Sequence, residues 1–383
     1  MGYYGVGNLG DEAILSVILK RLKREFSNPE IYVFSHNPQK TEKLHGVASI
    51  NYLKFKKQYG KNIFKIAWDM IRIIYYIIFK LDYLLIGGGG ILYGKSTIIY
   101  GFWAVIAKLA KKKVEFYAVG VAPQTESYVL ALELKPKPIK NKIGRFLISL
   151  AMNMADKVSV RDEYSARVLR LSGVSRQIEI VDDPAMELNC AEKGKIIQIL
   201  TRLGIGEDEL RNSCIVGLSI RYIPNDKLMS KLLDIVSSVV DWLIRKFNCK
   251  VILIPFCKDE EMIFNNDLLP AYRIKNKLIK KDDFYIIEDD LTPEEAKGII
   301  SLMDVFIGMR LHSLIFAYST GVPSVGIVYD VKVKSFLDKI KSSENCIYLS
   351  DISYKKIKNL IEGMFKEVKS HTREKEYCSN NTR

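Results

Sequence analysis

Three basic side chains fall close together in the segment DVFIGMRLHSLIFAYSTGVPSVGIVYDVKV, residues 304–333. Its pattern predicts a strand, a helix and a second strand, with Arg310 and His312 in the first turn of the helix and Lys332 just past the second strand. If the two strands are neighbours, all three meet at a helix N-terminus, where unpaired backbone N–H groups attract phosphate. The segment therefore predicts a site for an anionic ligand.

The helix before this segment is predicted independently. In LTPEEAKGIISLM, Thr292 is the expected N-cap, Pro293 takes the first helical position and Glu295 completes a capping box. These signals fix the register of the elements on both sides of Arg310 and His312.

Other candidate residues also follow predicted strands directly. They are Gly87 to Gly90 after YLLI, Gly120 after FYAV, Arg161 after VSV and Arg221 after GLSI. In parallel α/β folds ligands bind at the carboxyl ends of strands, so these positions are candidates for a binding site. Arg161 either anchors a substrate carboxylate through its bidentate fork or pairs with Asp162 or Glu163, and the residues alone favour the ion pair.

Two glycine-rich stretches are conspicuous. The chain opens on MGYYGVGNLGDEAIL, which predicts a turn that leads directly into a helix, with Asp11 and Glu12 at the positive end of the helix dipole. The second stretch, GGGGIL, lacks the GxGxxG spacing of a dinucleotide fingerprint. It either lets the backbone approach a ligand closely or makes a tight turn between a strand and a helix.

The elements that must position these residues alternate along the whole chain. Ten short apolar runs are interleaved with helical periodicity: EIYVFS, LDYLLIG, KVEFYAVG, KVSV, IEIV, CIVGLSI, KVILIPF, FYIIE, DVFIG and SVGIVY. This alternation predicts an α/β fold with parallel sheets and covering helices. With 383 residues, we expect an N-terminal domain over 1–187, a linker region over 188–212, a C-terminal domain over 213–365 and a polar tail over 366–383.

The charge of the chain favours an anionic partner. Lys plus Arg number 58 against 44 for Asp plus Glu, a formal net charge of +14. The bases are dispersed rather than clustered with exposed aromatics, so nucleic acid is not an expected partner. Six cysteines without CxxC pairs and four histidines indicate neither a disulfide framework nor a metal site, and predict reduced thiols and a cytoplasmic location.

One basic stretch has two interpretations. KFKKQYGKNIFKIAWDMIRIIYYIIFK alternates bases with bulky apolar residues, as a helix on an anionic membrane does. We expect an amphipathic surface helix over 63–79 and peripheral contact with the inner face of the cell membrane. The alternative is a core-facing helix with snorkelling lysines. Lys65, Asp69 and Arg72 interrupt the apolar run, so it is not a spanning helix.

Seven stretches, taken together, resemble the polysaccharide pyruvyl transferases: GYYGVGNLGDEAIL, LLIGGGGIL, AVGVAP, SVRDEYSARVLRLSGV, DDPA, GLSIR and IGMRLHSLIFAYSTGVPSVGIVYDVKV. This family moves a pyruvyl group from phosphoenolpyruvate onto sugar hydroxyls as a ketal. The resemblance implies two Rossmann-like domains arranged as in B-type glycosyltransferases (GT-B-like), with the active site between them. It also implies phosphoenolpyruvate as donor, no further cofactor, and an acceptor sugar on a cell-surface polysaccharide or its lipid-linked precursor.

The same resemblance assigns roles to residues. It implies that Arg161 holds the carboxylate of phosphoenolpyruvate, that Lys332 and Arg310 hold its phosphate, and that His312 transfers a proton. The remaining expected substrate-binding residues are Arg221, Gly7, Asn8, Gly10, Asp11, Gly88 and Gly89. Family members carry a short strand before the GYYG turn, so the first strand of the N-terminal sheet is expected to be missing here.

A glycosyltransferase of the same architecture is the main alternative. It would place the diphosphate of a nucleotide sugar at a helix N-terminus, and its donor would offer Arg161 no carboxylate.

Overall fold

The computed structural model describes residues 1–52, 63–122, 135–258 and 265–370. By their contacts these residues form two units. The N-terminal unit comprises Met1–Val6 and the described residues of 11–184. The C-terminal unit comprises Gly7–Gly10 and the described residues from 185 onward.

The N-terminal unit alternates strands and helices. Its strands are β1 (Tyr32–Ser35), β2 (Ala48–Asn51), β3 (Tyr83–Gly87), β4 (Lys113–Val119), β5 (Lys157–Val160) and β6 (Glu179–Ile180). Its helices are α1 (Leu9–Glu25), α2 (Pro38–His45), α3 (Ile63–Tyr75), α4 (Ser96–Leu109), α5 (Lys142–Met154) and α6 (Glu163–Leu171), and a π-helical turn, Tyr76–Lys80, continues α3. The buried core lies between helices and sheet and includes Trp103, Phe116 and Ile148.

The first residues of the chain lie between two parallel sheets. One sheet pairs β1 with β2, and the other runs in the order β3-β4-β5-β6. The backbone N–H of Gly87 donates to the carbonyl of Met1 at 3.0 Å, and that of His36 donates to the carbonyl of Tyr4 at 2.9 Å. By these hydrogen bonds residues 1–4 lie between β1 and β3.

The C-terminal unit is built around one parallel sheet. Its strands are β7 (Ile215–Ser219), β8 (Lys250–Leu253), β9 (Phe284–Ile286), β10 (Val305–Gly308), β11 (Ser324–Val328) and β12 (Cys346–Tyr348). Its helices are α7 (Lys193–Arg202), α8 (Glu207–Asn212), α9 (Asp226–Phe247), α10 (Leu268–Lys277), α11 (Pro293–Ser301), α12 (Leu311–Ser319), α13 (Val331–Lys339) and α14 (Tyr354–Ser370). The strand order is β12-β11-β10-β7-β8-β9, so it reverses direction between β7 and β10.

All ten predicted strands are present, and the two that the pattern did not predict, β2 and β12, lie at sheet edges. The capping box is confirmed: Thr292 Oγ1 accepts from the N–H of Glu295 at 3.2 Å, and Glu295 accepts from the N–H of Thr292 at 2.7 Å.

Three other expectations can be compared with the structure. The range expected as a linker, 188–212, holds α7 and α8, because apolar side chains such as Ile196 and Leu200 are buried. The prediction of reduced thiols is wrong for Cys190, which is disulfide-bonded. It is confirmed for Cys214, Cys249, Cys257 and Cys346, which are free. The first residues of the range expected as a polar tail, 366–370, belong to α14, and the rest of that range, 371–383, lies outside the described residues.

The helix predicted over 63–79 is present as α3 and its π-helical turn, and it lies at the surface. Its buried face includes Ile73 and Ile77, and its exposed face also carries large apolar side chains, among them Phe64 and Trp68. Among the described residues, no helix is both long enough and apolar enough to cross a membrane.

Candidate functional site

The predicted strand-helix-strand segment places cations at one edge of the C-terminal sheet. β10 and β11 are parallel neighbours, with Phe306 opposite Ser324. Arg310 is the N-cap residue of α12, His312 lies in its first turn, and Lys332 lies in the first turn of α13 after β11. Arg221 follows β7, the neighbour of β10 at the reversal of strand order. In open α/β sheets this reversal is where ligands bind.

Arg310 is held by a buried carboxylate that the sequence analysis did not single out. Its Nη2 and Nε donate to Oδ1 and Oδ2 of Asp267 at 2.6 and 3.0 Å, and Asp267 is fully buried. Asp267 also accepts the backbone N–H groups of Phe256 and Cys257, both at 3.0 Å. Burial alone would lower the pKa of Arg310, but the charge of Asp267 raises it. The guanidinium is therefore fixed in position and permanently charged.

Tyr329, at the end of β11, is the centre on which the cations converge. Its hydroxyl accepts from Nη1 of Arg221 at 3.1 Å, and the Arg221 guanidinium carbon lies 4.9 Å from its ring centroid. Nζ of Lys332 is 6.0 Å from the same centroid. Both Tyr329 and Arg221 are buried, whereas the Lys332 side chain is 35% exposed and lies 3.6 Å from Asp330.

The electrostatic effect of this cluster is visible in Tyr329 itself. Burial raises the pKa of a phenol, yet the positive charges of Lys332, Arg221 and Arg310 together lower the pKa of Tyr329 below its ordinary value. The potential at this point is thus positive enough to outweigh the desolvation of a buried hydroxyl. Such a potential stabilises any anion placed beside it.

His312 lies against the opening glycine turn. A Cβ at Gly10 would lie 1.9 Å from Nδ1 of His312, so only glycine leaves room for the ring. The turn is held by its backbone, because the N–H of Leu9 donates to the carbonyl of Phe256 at 2.9 Å and Asn8 bridges to Cys257. The Asn8 side chain accepts from the N–H of Gly10 at 3.0 Å. Gly7 has a positive φ of 77°, which the turn requires.

Arg161, in the N-terminal unit, has a different environment. Its Nη1 donates to Asp183 at 3.0 Å, and its Nε lies 3.7 Å from Asp162, so the expected ion pair with Asp162 is present. Asp11 adds a third nearby negative charge, and these charges raise the pKa of the buried arginine against the effect of burial. Nε makes no hydrogen bond to the described residues. A Cβ at Gly120 would lie 2.8 Å from Nε, so that glycine accommodates the guanidinium.

Gly88 and Gly89 form the tight turn after β3. Their φ angles are 73° and 76°, and a Cβ at Gly88 would lie 2.0 Å from Cγ2 of Ile14. A Cβ at Gly89 would lie 2.5 Å from Oδ1 of Asp11. This geometry supports the tight-turn interpretation, and ligand contact by these glycines and by Asp11 stays a prediction.

Asp267, Tyr329 and Asp183 belong to the candidate site but were not predicted from the sequence. Tyr329 is the last residue of the predicted strand SVGIVY, and Asp183 lies two residues past the predicted strand IEIV, so both are at carboxyl ends of strands. Their position at the carboxyl ends of strands, where ligands bind in parallel α/β folds, could have identified them. Asp267 gave none, because it lies beyond the end of β8 and reaches Arg310 only through the fold.

Comparison with solved structures defines the class of protein. UDP-GlcNAc 2-epimerase from Methanocaldococcus jannaschii is similar at 12% identity and a TM-score of 0.58, over 99% of this chain and 94% of that one. The S. aureus MnaA structure with UDP is similar at 13% identity and a TM-score of 0.56, over 96% of this chain and 88% of that one. E. coli ADP-heptose LPS heptosyltransferase II is similar at 11% identity and a TM-score of 0.50, over 96% of this chain and 99% of that one. At such identities the likeness shows the fold alone, an α/β fold of the GT-B class.

The family is shown by sequence. The family model for polysaccharide pyruvyl transferase matches residues 8–331, a range that includes Asn8, Gly10, Arg161 and the segment from Arg310 through Tyr329. The chain belongs to the polysaccharide pyruvyl transferase family. None of the curated proteins matches it.

Proposed function

We propose that the protein transfers the pyruvyl group of phosphoenolpyruvate to a saccharide and binds the phosphate of this donor in the C-terminal unit. The observation that carries the proposal is the convergence of Arg221 and Lys332 on Tyr329, with Arg310 close enough to lower its pKa. Phosphoenolpyruvate has a phosphate and a carboxylate on one small skeleton. It needs several cations within a few ångströms, and this cluster supplies them.

The phosphate is assigned to Lys332, Arg310 and the N-terminus of α12. Arg310 binds Asp267 through Nε and Nη2, so the pairing fixes its plane while Nη1 stays outside the pair. Lys332 is the more exposed cation, as suits a flexible ammonium that follows phosphate during departure. The first backbone N–H groups of α12 add a partial positive charge.

The carboxylate has two candidate partners. The family resemblance assigns it to Arg161, whose Nη1 is already bound to Asp183. A donor carboxylate on Arg161 would use the N–H groups that Asp183 leaves, among them the buried Nε. Arg221, whose guanidinium donates to the hydroxyl of Tyr329, is the second candidate.

The chemistry requires one proton transfer to carbon. Protonation of the methylene carbon gives an oxocarbenium-like centre at C2, and a sugar hydroxyl adds there and loses its proton. Inorganic phosphate then leaves from C2, and a second hydroxyl adds and loses its proton to close the ketal. We assign the proton transfer to His312, whose ring is packed against Gly10. A positioned acid or base typically contributes about 10² to 10⁴ in rate.

The acceptor is proposed as a sugar of a cell-surface polysaccharide or of its lipid-linked precursor, in line with the family. The test combines calorimetry and phosphate release. Purified protein should bind phosphoenolpyruvate and release inorganic phosphate only when a suitable lipid-linked or free glycoside is added. Pyruvate and inorganic phosphate, each carrying only part of the donor's charge, should compete more weakly than intact phosphoenolpyruvate.

A matched pair of lysine variants locates the donor. Lys332→Ala should weaken phosphoenolpyruvate binding about tenfold, and the loss should shrink at high salt because the side chain is partly exposed. Lys334→Ala, on the same helix but paired with Asp338, should bind normally. Equal affinity in both variants, or wild-type protein that ignores phosphoenolpyruvate and cleaves a nucleotide sugar, would overturn the proposal in favour of glycosyl transfer.

A further inference from the structure

Five large apolar side chains project into solvent from α3 and its π-helical turn. They are Phe64, Trp68, Ile71, Tyr75 and Phe79, exposed by 90%, 67%, 60%, 48% and 71%. Their spacing of three or four residues puts them on one side of the helix, here called the α3 stripe. From Phe64 to Phe79 the stripe is about 22 Å long at 1.5 Å per residue.

The fold does not need this stripe for its core. The opposite side of the same helix is buried through Asp69, Ile73 and Ile77. Asp69 accepts from the Asn51 side chain at 3.1 Å, which anchors the helix to the end of β2. A helix already fixed by one face, with a second apolar face in water, marks an interaction surface.

α5, which belongs to the same helical layer as the stripe, also exposes large apolar side chains. α4 contacts both the π-helical turn and α5, so the three helices form one layer. α5 exposes Ile143 and Phe146 by 64% and 66%. Across α3, the π-helical turn, α4 and α5 the only acidic residue is Asp69, which is buried.

The charged residues of this layer are therefore basic. Arg72 and Lys80 are exposed beside the stripe, and Lys142 is exposed on α5. In the sequence Lys54, Lys56, Lys57 and Lys61 precede the helix, although they lie outside the described residues. Asp82, which follows the π-helical turn, is an exposed carboxylate at one end of the layer, so the surface is basic in balance. Exposed aromatics with a surplus of bases are complementary to anionic lipid headgroups over acyl chains.

We propose that the α3 stripe docks the protein onto an anionic lipid bilayer, with α3 lying in the plane of the interface and its aromatic side chains below the headgroups. This inference goes beyond the proposed function and does not depend on the donor. A bilayer fits better than a second copy of the chain, because two copies joined through this face would bring their basic residues together. Amphipathic helices of this kind insert by about 5 to 10 Å.

Trp68 makes the proposal directly measurable. The chain has three tryptophans, of which Trp103 and Trp242 are buried at 1% and 7% exposure. Vesicles of phosphatidylcholine with phosphatidylglycerol should shift the emission of the full-length protein to shorter wavelength, and Trp68→Phe should abolish the shift. Pure phosphatidylcholine should give a much smaller change. Raising the salt to 1 M, where the screening length is about 3 Å, should weaken binding.

Matched isoleucine variants complete the test. Ile71→Ser should lower partitioning onto the anionic vesicles about tenfold. Ile279→Ser, which changes an isoleucine in the C-terminal unit exposed by 74%, should partition normally. No blue shift and no co-sedimentation at low salt would overturn the proposal. So would a concentration-dependent dimer in sedimentation velocity that Ile71→Ser dissolves, because the stripe would then be an interface between copies.

Discussion

Two buried arginines of this protein have opposite surroundings. Arg161 in the N-terminal unit lies among the carboxylates of Asp11, Asp162 and Asp183. Arg310 in the C-terminal unit has one carboxylate partner, Asp267, and shares its neighbourhood with Arg221 and Lys332 around Tyr329. Asp330, 3.6 Å from Lys332, is a further carboxylate in the second neighbourhood. The charges around Arg161 are negative in sum, whereas those around Tyr329 lower its pKa despite Asp330 and burial, so their net effect is positive.

The difference distinguishes a charge that is neutralised within the fold from one that remains available to bind a ligand. Around Arg161 the carboxylates already outnumber the cation, so a further anion meets net negative charge even at the N–H groups that Asp183 leaves. Around Arg310 the surplus of positive charge remains after the ion pair is counted. A buried arginine alone therefore does not define an anion site, since the balance of its neighbours decides what it attracts.

The largest expected effect concerns His312. His312→Gln keeps size and polarity but cannot exchange a proton near neutral pH, so turnover should fall by about 10² to 10⁴ with phosphoenolpyruvate affinity retained. Gly10→Ala should act in the same direction, because its Cβ would meet Nδ1 of His312 at 1.9 Å. Gly194→Ala, where a Cβ meets nothing within 4 Å, is the control. Full turnover in His312→Gln, measured by phosphate release, would remove the chemistry from the C-terminal unit.

The next effect is on stability and compares the two arginines directly. Arg310→Met leaves Asp267 buried and uncompensated, which should cost about 3 to 5 kcal/mol in the free energy of unfolding. Adding Asp267→Asn should restore most of that loss. Arg161→Met should be rescued only in part by Asp183→Asn, because Asp11 and Asp162 remain. Denaturant unfolding of the four variants measures this, and equal rescue at both sites would contradict the difference in charge balance.

A smaller effect tests the positive potential at Tyr329. Tyr329→Phe removes the hydroxyl that accepts from Arg221, and phosphoenolpyruvate affinity should fall a few-fold. In wild-type protein the affinity should also fall as pH rises through the lowered pKa of Tyr329, because the phenolate adds a negative charge beside the donor. Tyr329→Phe should lack this alkaline loss, as calorimetry across pH would show. If Tyr329→Phe lost phosphoenolpyruvate affinity at high pH as the wild type does, the loss would come from the titration of another group.

The smallest effect concerns a buried cation without a carboxylate. Lys297 donates to the carbonyls of Met186 and Leu188 at 3.0 and 2.6 Å, and burial lowers its pKa to about 8. The unfolded chain keeps this proton up to its ordinary pKa of 10.5, so between these values unfolding takes up a proton and stability rises with pH.

Lys297→Met should lack this rise while changing the free energy of unfolding at pH 7 by about 1 kcal/mol or less, since lost hydrogen bonds offset relieved charge burial. Thermal unfolding of both proteins from pH 7 to pH 10 measures the difference. Parallel curves would show that Lys297 keeps its ordinary pKa.

Much of the fold could be predicted because its signals are local. The ten predicted strands are apolar runs of the length and composition that buried parallel strands require, and the capping box at Thr292 is a contact over three residues. β2 and β12 escaped prediction because ASIN and CIY are too short and mixed to carry a pattern. They are strands only because a neighbouring edge accepts their hydrogen bonds.

The candidate site also has a part that could be predicted from local sequence and a part that could not. Arg310, His312 and Lys332 could be brought together from sequence, because two neighbouring parallel strands must end at the same edge. The pairing of Arg310 with Asp267 joins residues 43 positions apart, and that of Arg221 with Tyr329 joins residues 108 apart. Nothing in their local sequence specifies either distance.

The sequence by itself determined the α/β class, the family and the residue types at the strand ends, because each follows from local pattern or from matching motifs. Only the tertiary structure decided which charges meet: three carboxylates around Arg161, and three cations around Tyr329. It also decided that Trp68 faces water and Asp69 does not. The physical reason is that burial and pairing depend on which elements pack against each other, and the free energy of that packing belongs to the whole unit rather than to any segment.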